Sequence, residues 1–173
     1  MTKLSPHFTL AEAVKSQTAV REEIDNTPPV DVVPRLIYTA ENVLEPVRVF
    51  YGIPFSPSSW FRCRDLEAEI CKKTIERQLA QGRIKSVEEY LDKKQHPTGR
   101  AVDFEVPGIP NLELAHYIAE RIEFDQLILE FWDSEKPGSG WIHASVRSGG
   151  QNRGEILVYD GRSRIYNTGL PPL

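Results

Sequence analysis

Apolar and polar residues alternate in two short stretches of the second half of the chain, and this period of two predicts β-strands. The first stretch begins near Ala101 and places Asp103 on the face opposite its apolar residues. The second places His143 in the same way, so we expect Asp103 and His143 to meet across neighbouring strands. The apolar positions are Val102, Phe104, Val106, Ile142, Ala144 and Val146.

A third alternating stretch, residues 126–132, directs Gln126 and Glu130 to one face and Leu127, Leu129 and Phe131 to the other. If this stretch pairs with residues 141–146, Glu130 points to the same side of the sheet as His143. Two more predicted strands, residues 156–159 and 163–166, flank the turn signal Asp160-Gly161. This pattern predicts a C-terminal hairpin that extends the sheet beside His143.

Helix signals fill most of the remaining chain. Thr9 with Glu12, and Ser86 with Glu89, have the spacing of capping boxes and predict two short helices. A longer helix opens at Pro34 and is closed by Gly52, with a kink at Pro46. Its apolar face comprises Leu36, Ile37, Ala40, Val43, Leu44 and Val47.

Further elements complete an α+β arrangement. Residues 55–61 are predicted to form a strand, and residues 66–81 a helix with Ile70, Thr74 and Ile75 inward. Asn111 is expected to cap a helix that runs to Ile122. The predicted fold is a small antiparallel sheet that carries the functional site, flanked by helices and ending in a β-hairpin. With 173 residues, of which 40% are hydrophobic, we expect one domain covering 1–173.

The net charge of the chain argues against one class of binding partner. A net charge of -4 argues against a nucleic-acid binder, which needs a concentrated basic surface. The first residues lack the apolar core of a signal peptide, and no stretch approaches the length of a membrane span. We therefore expect synthesis in the cytoplasm, without membrane insertion. Cys63 and Cys71 are predicted to be free thiols.

Candidate metal chemistry is concentrated in one segment and in a later histidine. The segment reads His96-Pro97-Thr98-Gly99-Arg100-Ala101-Val102-Asp103, and Trp141-Ile142-His143 follows it. Gly99 permits a turn that folds His96 back toward the strand. Two histidines and one carboxylate can hold a divalent metal and leave a coordination position for water.

The motif His-x-x-Gly-x-Ala-x-Asp followed by aromatic-x-His resembles the zinc D-Ala-D-Ala carboxypeptidase family, which includes phage endolysins that cut peptidoglycan peptides. Residues 4–10, 124–130 and 152–155 are similar to phage and prophage members, so the resemblance covers about residues 4–155. It implies that His96, Asp103 and His143 bind Zn²⁺. Three features depart from the family: Lys94 replaces a usual serine, Gly140 replaces a usual acid, and the stretch 65–93 is longer.

The absent acid at Gly140 leaves the catalytic base to be found elsewhere. Glu130 is the predicted base, because strand alternation points it toward the metal. Asp133 and Glu135 remain alternatives, since their loop could fold either residue over the site.

Substrate-binding residues are also predicted. Arg62 lies in a segment similar to the family's Ser-Gly-Tyr-Arg, which implies that its guanidinium holds a substrate carboxylate. Gln126 shares the face of Glu130, while Trp141 and Trp60 could wall the cleft.

These features predict a zinc peptidase that acts on peptidoglycan stem peptides, encoded by phage or prophage. It would reach the cell wall after release by lysis machinery or as part of a virion. The main alternative is a non-catalytic phage structural or tail-associated protein that keeps the fold as a wall-binding module. A two-His-one-carboxylate iron oxygenase is a more distant alternative, because those enzymes typically place the first histidine and the carboxylate two residues apart.

Overall fold

A computed structural model describes residues 2–136, 138–163 and 165–173 of the chain. Within these residues the chain forms seven α-helices and five strands. The helices are α1 Leu10–Ala13, α2 Gln17–Arg21, α3 Val33–Thr39, α4 Glu45–Tyr51, α5 Arg64–Ala80, α6 Val87–Leu91 and α7 Asn111–Arg121. The strands are β1 Ala101–Phe104, β2 Gln126–Glu130, β3 Trp141–Ser145, β4 Glu155–Asp160 and β5 Ile165–Thr168.

The five strands form one open sheet in the order β1-β3-β2-β4-β5. The β1–β3, β2–β3 and β4–β5 pairs are antiparallel, whereas β2 and β4 are parallel. The predicted α+β class and C-terminal hairpin are confirmed, but the sheet is mixed rather than wholly antiparallel. The hairpin also joins β2 instead of lying beside His143. Both edges of β3 are already paired, so β4 reverses direction after β3 and lands on the free edge of β2.

One face of the sheet forms the main hydrophobic core. Inward residues of β1, β2 and β3, including Val102, Leu127 and Ile142, are fully buried. They belong to one cluster with the apolar residues of α3, α4 and α7. A smaller cluster formed by Ile75, Ile84, Tyr90 and Leu91 joins α5 to α6. The opposite face of the sheet is therefore left for polar side chains.

The helix predicted between Pro34 and Gly52 forms as two α-helices joined by a π-helical turn, Ala40–Leu44. Pro46 lies at the start of α4, directly after the π-helical turn, and because proline has no N–H it donates no hydrogen bond back into that turn. Gly52 ends α4 at φ 66°, as predicted. Thr9 and Glu12 form the predicted capping box of α1, and Ser86 caps α6.

Several predicted elements are wrong in detail. Residues 55–61 form no strand apart from an isolated bridge between Ser59 and Asp103, because Pro54 and Pro57 lack the N–H groups that a strand ladder needs. Pro110, not Asn111, is the cap residue of α7, and the Asn111 amide instead donates to loop carbonyls. Ile70 is 45% exposed rather than inward.

Strand ends also differ from the prediction. Strand β2 ends at Glu130, and Phe131 turns outward with φ 54° instead of continuing the apolar face. The predicted last strand, 163–166, begins later, at Ile165, and its residue Arg164 lies outside the described residues.

Candidate metal centre

Strand register brings the predicted ligands together. Asp103 on β1 and Ile128 on β2 both lie directly opposite His143 on β3, so the three residues share one face of the sheet. His96 begins a 3₁₀ turn, His96–Thr98, that ends at Gly99 in the left-handed conformation, φ 72°. A Cβ at Gly99 would lie 2.8 Å from Val32 Cγ1, so both the backbone and the packing require glycine there.

The His96 imidazole is oriented by a backbone carbonyl. Its Nδ1 lies 2.6 Å from the carbonyl oxygen of Trp60. A carbonyl oxygen only accepts hydrogen bonds, so Nδ1 carries the proton and Nε2 presents its lone pair. That Nε2 lies 3.3 Å from Asp103 Oδ2.

The His143 imidazole is oriented by a chain of polar groups. Gln95 Nε2 donates to Asp125 Oδ2 at 3.0 Å, which turns Gln95 Oε1 toward His143 Nε2 at 3.1 Å. Asp125 is fully buried and is itself held by Arg153 at 2.8 Å and Arg147 at 2.9 Å. Nε2 of His143 therefore carries the proton, and its Nδ1 faces Asp103 Oδ1 at 2.8 Å.

Three acceptor atoms thus converge in a buried place. Ligand atoms of His96, Asp103 and His143 all lie within 4.8 Å of one another, and the three residues are 6%, 6% and 7% exposed. Lone pairs this close repel unless a proton or a metal cation lies between them. Zinc with ligands 2.0–2.1 Å away holds neighbouring ligand atoms about 3.4 Å apart, and His96 Nε2 lies 3.3 Å from Asp103 Oδ2. The predicted cluster is confirmed as a group that could hold a metal ion.

The Asp103 carboxyl is strongly perturbed by this environment. Burial alone would raise its pKa, but a proton held between the carboxylate and the nitrogens of His96 and His143 acts by charge and by hydrogen bonding, outweighs burial and holds the pKa far below the ordinary range. Asp103 is therefore a carboxylate, the form that binds a metal.

Arg62 contacts the cluster directly. Its Nη2 donates to Asp103 Oδ2 at 2.7 Å, its Nη1 to Glu67 Oε2 at 3.1 Å and its Nε to Ser59 Oγ at 2.8 Å. The structure thus places the predicted carboxylate-binding arginine at the site, but with all three nitrogens bonded to the protein. Glu67 is only 2% exposed, and its ion pair with Arg62 compensates the cost of burying its charge.

The cluster lies in a cleft of about 430 Å³. Gln126 and Glu130 line this cleft, as do Arg62 and Lys94. Gln126 Nε2 donates to Glu155 Oε2 at 2.6 Å. Trp141 is not among the lining residues. It stacks on Phe131, with ring centroids 4.9 Å apart, and Trp60 is buried in the core.

Of the three candidate bases, Glu130 is the one that lines the cleft. Burial raises its pKa, a positive charge on His143 opposes this rise and the Asp103 charge adds to it. Asp133 is instead paired with Arg162, and the Glu135 side chain is 79% exposed. The pKa of Glu130 is thus moved toward the range useful for a proton acceptor near neutral pH.

Sequence reasoning missed the groups that support the ligands. Gln95, Asp125 and Glu67 hold His143 and Arg62 in place, and only the position of Gln95 next to His96 gave a signal. Both cysteines are free thiols, as predicted. Cys63 accepts the Leu66 N–H at the start of α5, and Cys71 lies in the cleft.

Comparison of the chain with protein-family models, with curated proteins and with solved structures finds no match. Among the described residues, no helix is both long enough and apolar enough to cross a membrane.

Proposed function

We propose that the protein is a zinc-dependent peptidase that hydrolyses peptidoglycan stem peptides. The observation that supports this most is the convergence of three buried acceptor atoms, from His96, Asp103 and His143, in a cleft that Glu130 also lines. Three protein ligands leave a position for water or substrate. The substrate class follows from the resemblance of the motif to peptidoglycan carboxypeptidases and endolysins.

The residues of the cleft have distinct tasks in this proposal. When bound by the three ligands, zinc supplies an acidified water and polarises the scissile carbonyl. The Glu130 carboxylate would accept a proton from the attacking water and return it to the nitrogen of the leaving amine. Because burial raises its pKa, Glu130 holds a proton more readily than a surface carboxylate does.

Zinc is preferred to iron for two reasons. The motif that the ligands form resembles a zinc family, and His96 lies seven positions before Asp103 rather than the two typical of iron oxygenases. Metal content therefore tests the first step. We expect about one zinc per chain in the purified protein and a loss of zinc in His143→Ala. His116→Ala is the matched control, because His116 is bonded to the Pro171 carbonyl in another part of the molecule. Equal zinc in both variants would contradict the ligand assignment.

Activity tests the second step. Purified protein incubated with muropeptides should release shortened peptides, detected by mass spectrometry, and a chelator should stop the release until zinc is restored. Glu130→Gln should keep zinc and lose roughly two or more orders of magnitude in turnover. The control Glu135→Gln changes an exposed acid and should retain activity.

The main alternative is a non-catalytic wall-binding module in a phage particle, which Gly140 and Lys94 favour because they depart from the resembled family at two site positions. Zinc-loaded protein that sediments with cell walls but releases no peptide would identify this alternative. In either case the protein, encoded by phage or prophage, acts at the wall after lysis or as part of a virion.

A further inference from the structure

Positive groups around the cleft differ in whether they already have an anionic partner. Arg62 is bonded to Asp103 and Glu67. Lys93 is paired with Glu89 at 3.0 Å. Arg153 is paired with Asp125 at 2.8 Å and with Glu155 at 3.2 Å. A substrate anion at any of these three cations would have to compete with a carboxylate that is already bound there.

Lys94 is different from these three cations. It lines the same cleft, and its Nζ lies 4.3 Å above the ring of Tyr90. Within the described ranges no carboxylate forms a salt bridge or hydrogen bond with it. The Tyr90 ring contacts the ammonium by a cation–π interaction, which brings no carboxylate to neutralise it and leaves N–H donors available.

Lys94 is also close enough to the reactive groups to matter. Its charge lowers the pKa of Glu130, although burial and other groups act more strongly there. It lies two residues before His96. An anion bound by Lys94 would therefore lie near the metal ligands and the proposed base.

We propose that Lys94, rather than Arg62, binds the free C-terminal carboxylate of the substrate, so that the protein acts as a carboxypeptidase on peptide ends. This inference rests on the proposed peptidase function. A single ammonium suits a singly charged carboxylate. A phosphate dianion fits less well, because Asp103, Glu67 and Glu130 give the same cleft a negative side. In this arrangement Lys94 binds the C-terminal carboxylate, and the metal ligands and Glu130 act on the adjacent peptide bond.

The test compares an acyl-Lys-D-Ala-D-Ala peptide with its C-terminal amide, using zinc-loaded protein. We expect wild type to have a KM for the acid about tenfold or more below that for the amide, as fits one hydrogen bond between charged groups. Lys94→Met should raise the KM for the acid to that of the amide, with kcat nearly unchanged. Lys94→Arg should keep most of the preference. Lys93→Met, which removes the neighbouring paired lysine, should behave like wild type.

The possible failures are distinguishable. If wild type turns over the acid and the amide equally well, or if Lys94→Met keeps the preference for the acid, the assignment of Lys94 is wrong while the peptidase function stands. If Lys94→Met weakens both substrates alike, Lys94 supports the cleft and does not read the carboxylate. If wild type cleaves neither peptide and no muropeptide, both proposals fail.

Discussion

Replacing Gln95 with leucine tests whether the orientation of His143 determines metal binding. Gln95 lies between two buried groups, accepting from His143 Nε2 at 3.1 Å and donating to Asp125 Oδ2 at 3.0 Å. Leucine has a similar volume and can do neither. Asp125 keeps its contacts with Arg153 and Arg147, so the main loss falls on His143.

Two effects set the expected magnitude. His143 Nε2 loses its acceptor, and leaving a buried donor without a partner costs about 1–3 kcal/mol. His143 also loses the constraint that keeps its proton on Nε2 and leaves Nδ1 free for a cation. Removing such a supporting contact typically weakens metal binding 10–100-fold, or by about 1.4–2.7 kcal/mol. We therefore predict a zinc affinity at least tenfold lower in Gln95→Leu.

The measurement is a competition for zinc against a chromophoric chelator, with thermal unfolding of the metal-free proteins to confirm the fold. Gln126→Leu is the matched control, because Gln126 lines the same cleft but donates to Glu155. Zinc affinity in Gln126→Leu should equal that of wild type. A wild-type affinity in Gln95→Leu would refute the argument that Gln95 fixes the tautomer of His143.

Three further predictions concern stability, measured on the metal-free protein by denaturant unfolding. Burial raises the pKa of Glu130, so its ionisation lowers the free energy of unfolding as the pH rises through that pKa. Glu130→Gln should therefore be more stable than wild type at pH 8, and the difference should vanish below 4.5, the ordinary pKa value. An equal difference at all pH values would contradict this prediction. Gly99→Ala should lose about 1–3 kcal/mol or more of stability. This loss should exceed that of Gly52→Ala, because both glycines have positive φ but only at Gly99 would a Cβ also come within 2.8 Å of a neighbouring atom. Equal losses would show that this close contact costs nothing. Arg62→Met should cost about 3–5 kcal/mol of stability, because it leaves Glu67 buried without its ion pair. Adding Glu67→Leu should recover part of this loss. No recovery would show that the loss does not come from the unpaired Glu67.

Sequence by itself determined the candidate metal-binding group and the strand faces. A period of two assigns each residue of a strand to a face without reference to distant parts of the chain, which is why Asp103, Glu130 and His143 were predicted on one side. Gly99 and Gly52 were also predictable, because a left-handed turn is a local property of the backbone. The capping box at Thr9 and the helix that begins near Pro34 were predictable for the same reason, because both depend on residues close together in sequence.

Tertiary structure decided what pairs with what. Both edges of β3 are taken, so β4 pairs with β2, and it does so in the parallel direction. Alternation within a strand carries no information about such neighbours. The contacts of Arg62 with Asp103 and Glu67, and of Gln95 with His143 and Asp125, join residues that are distant in sequence. Their hydrogen bonds depend on burial and on the partners that folding supplies. The sequence pattern therefore identifies the candidate ligands, and only the folded chain fixes which of their nitrogens carry protons and which keep free lone pairs.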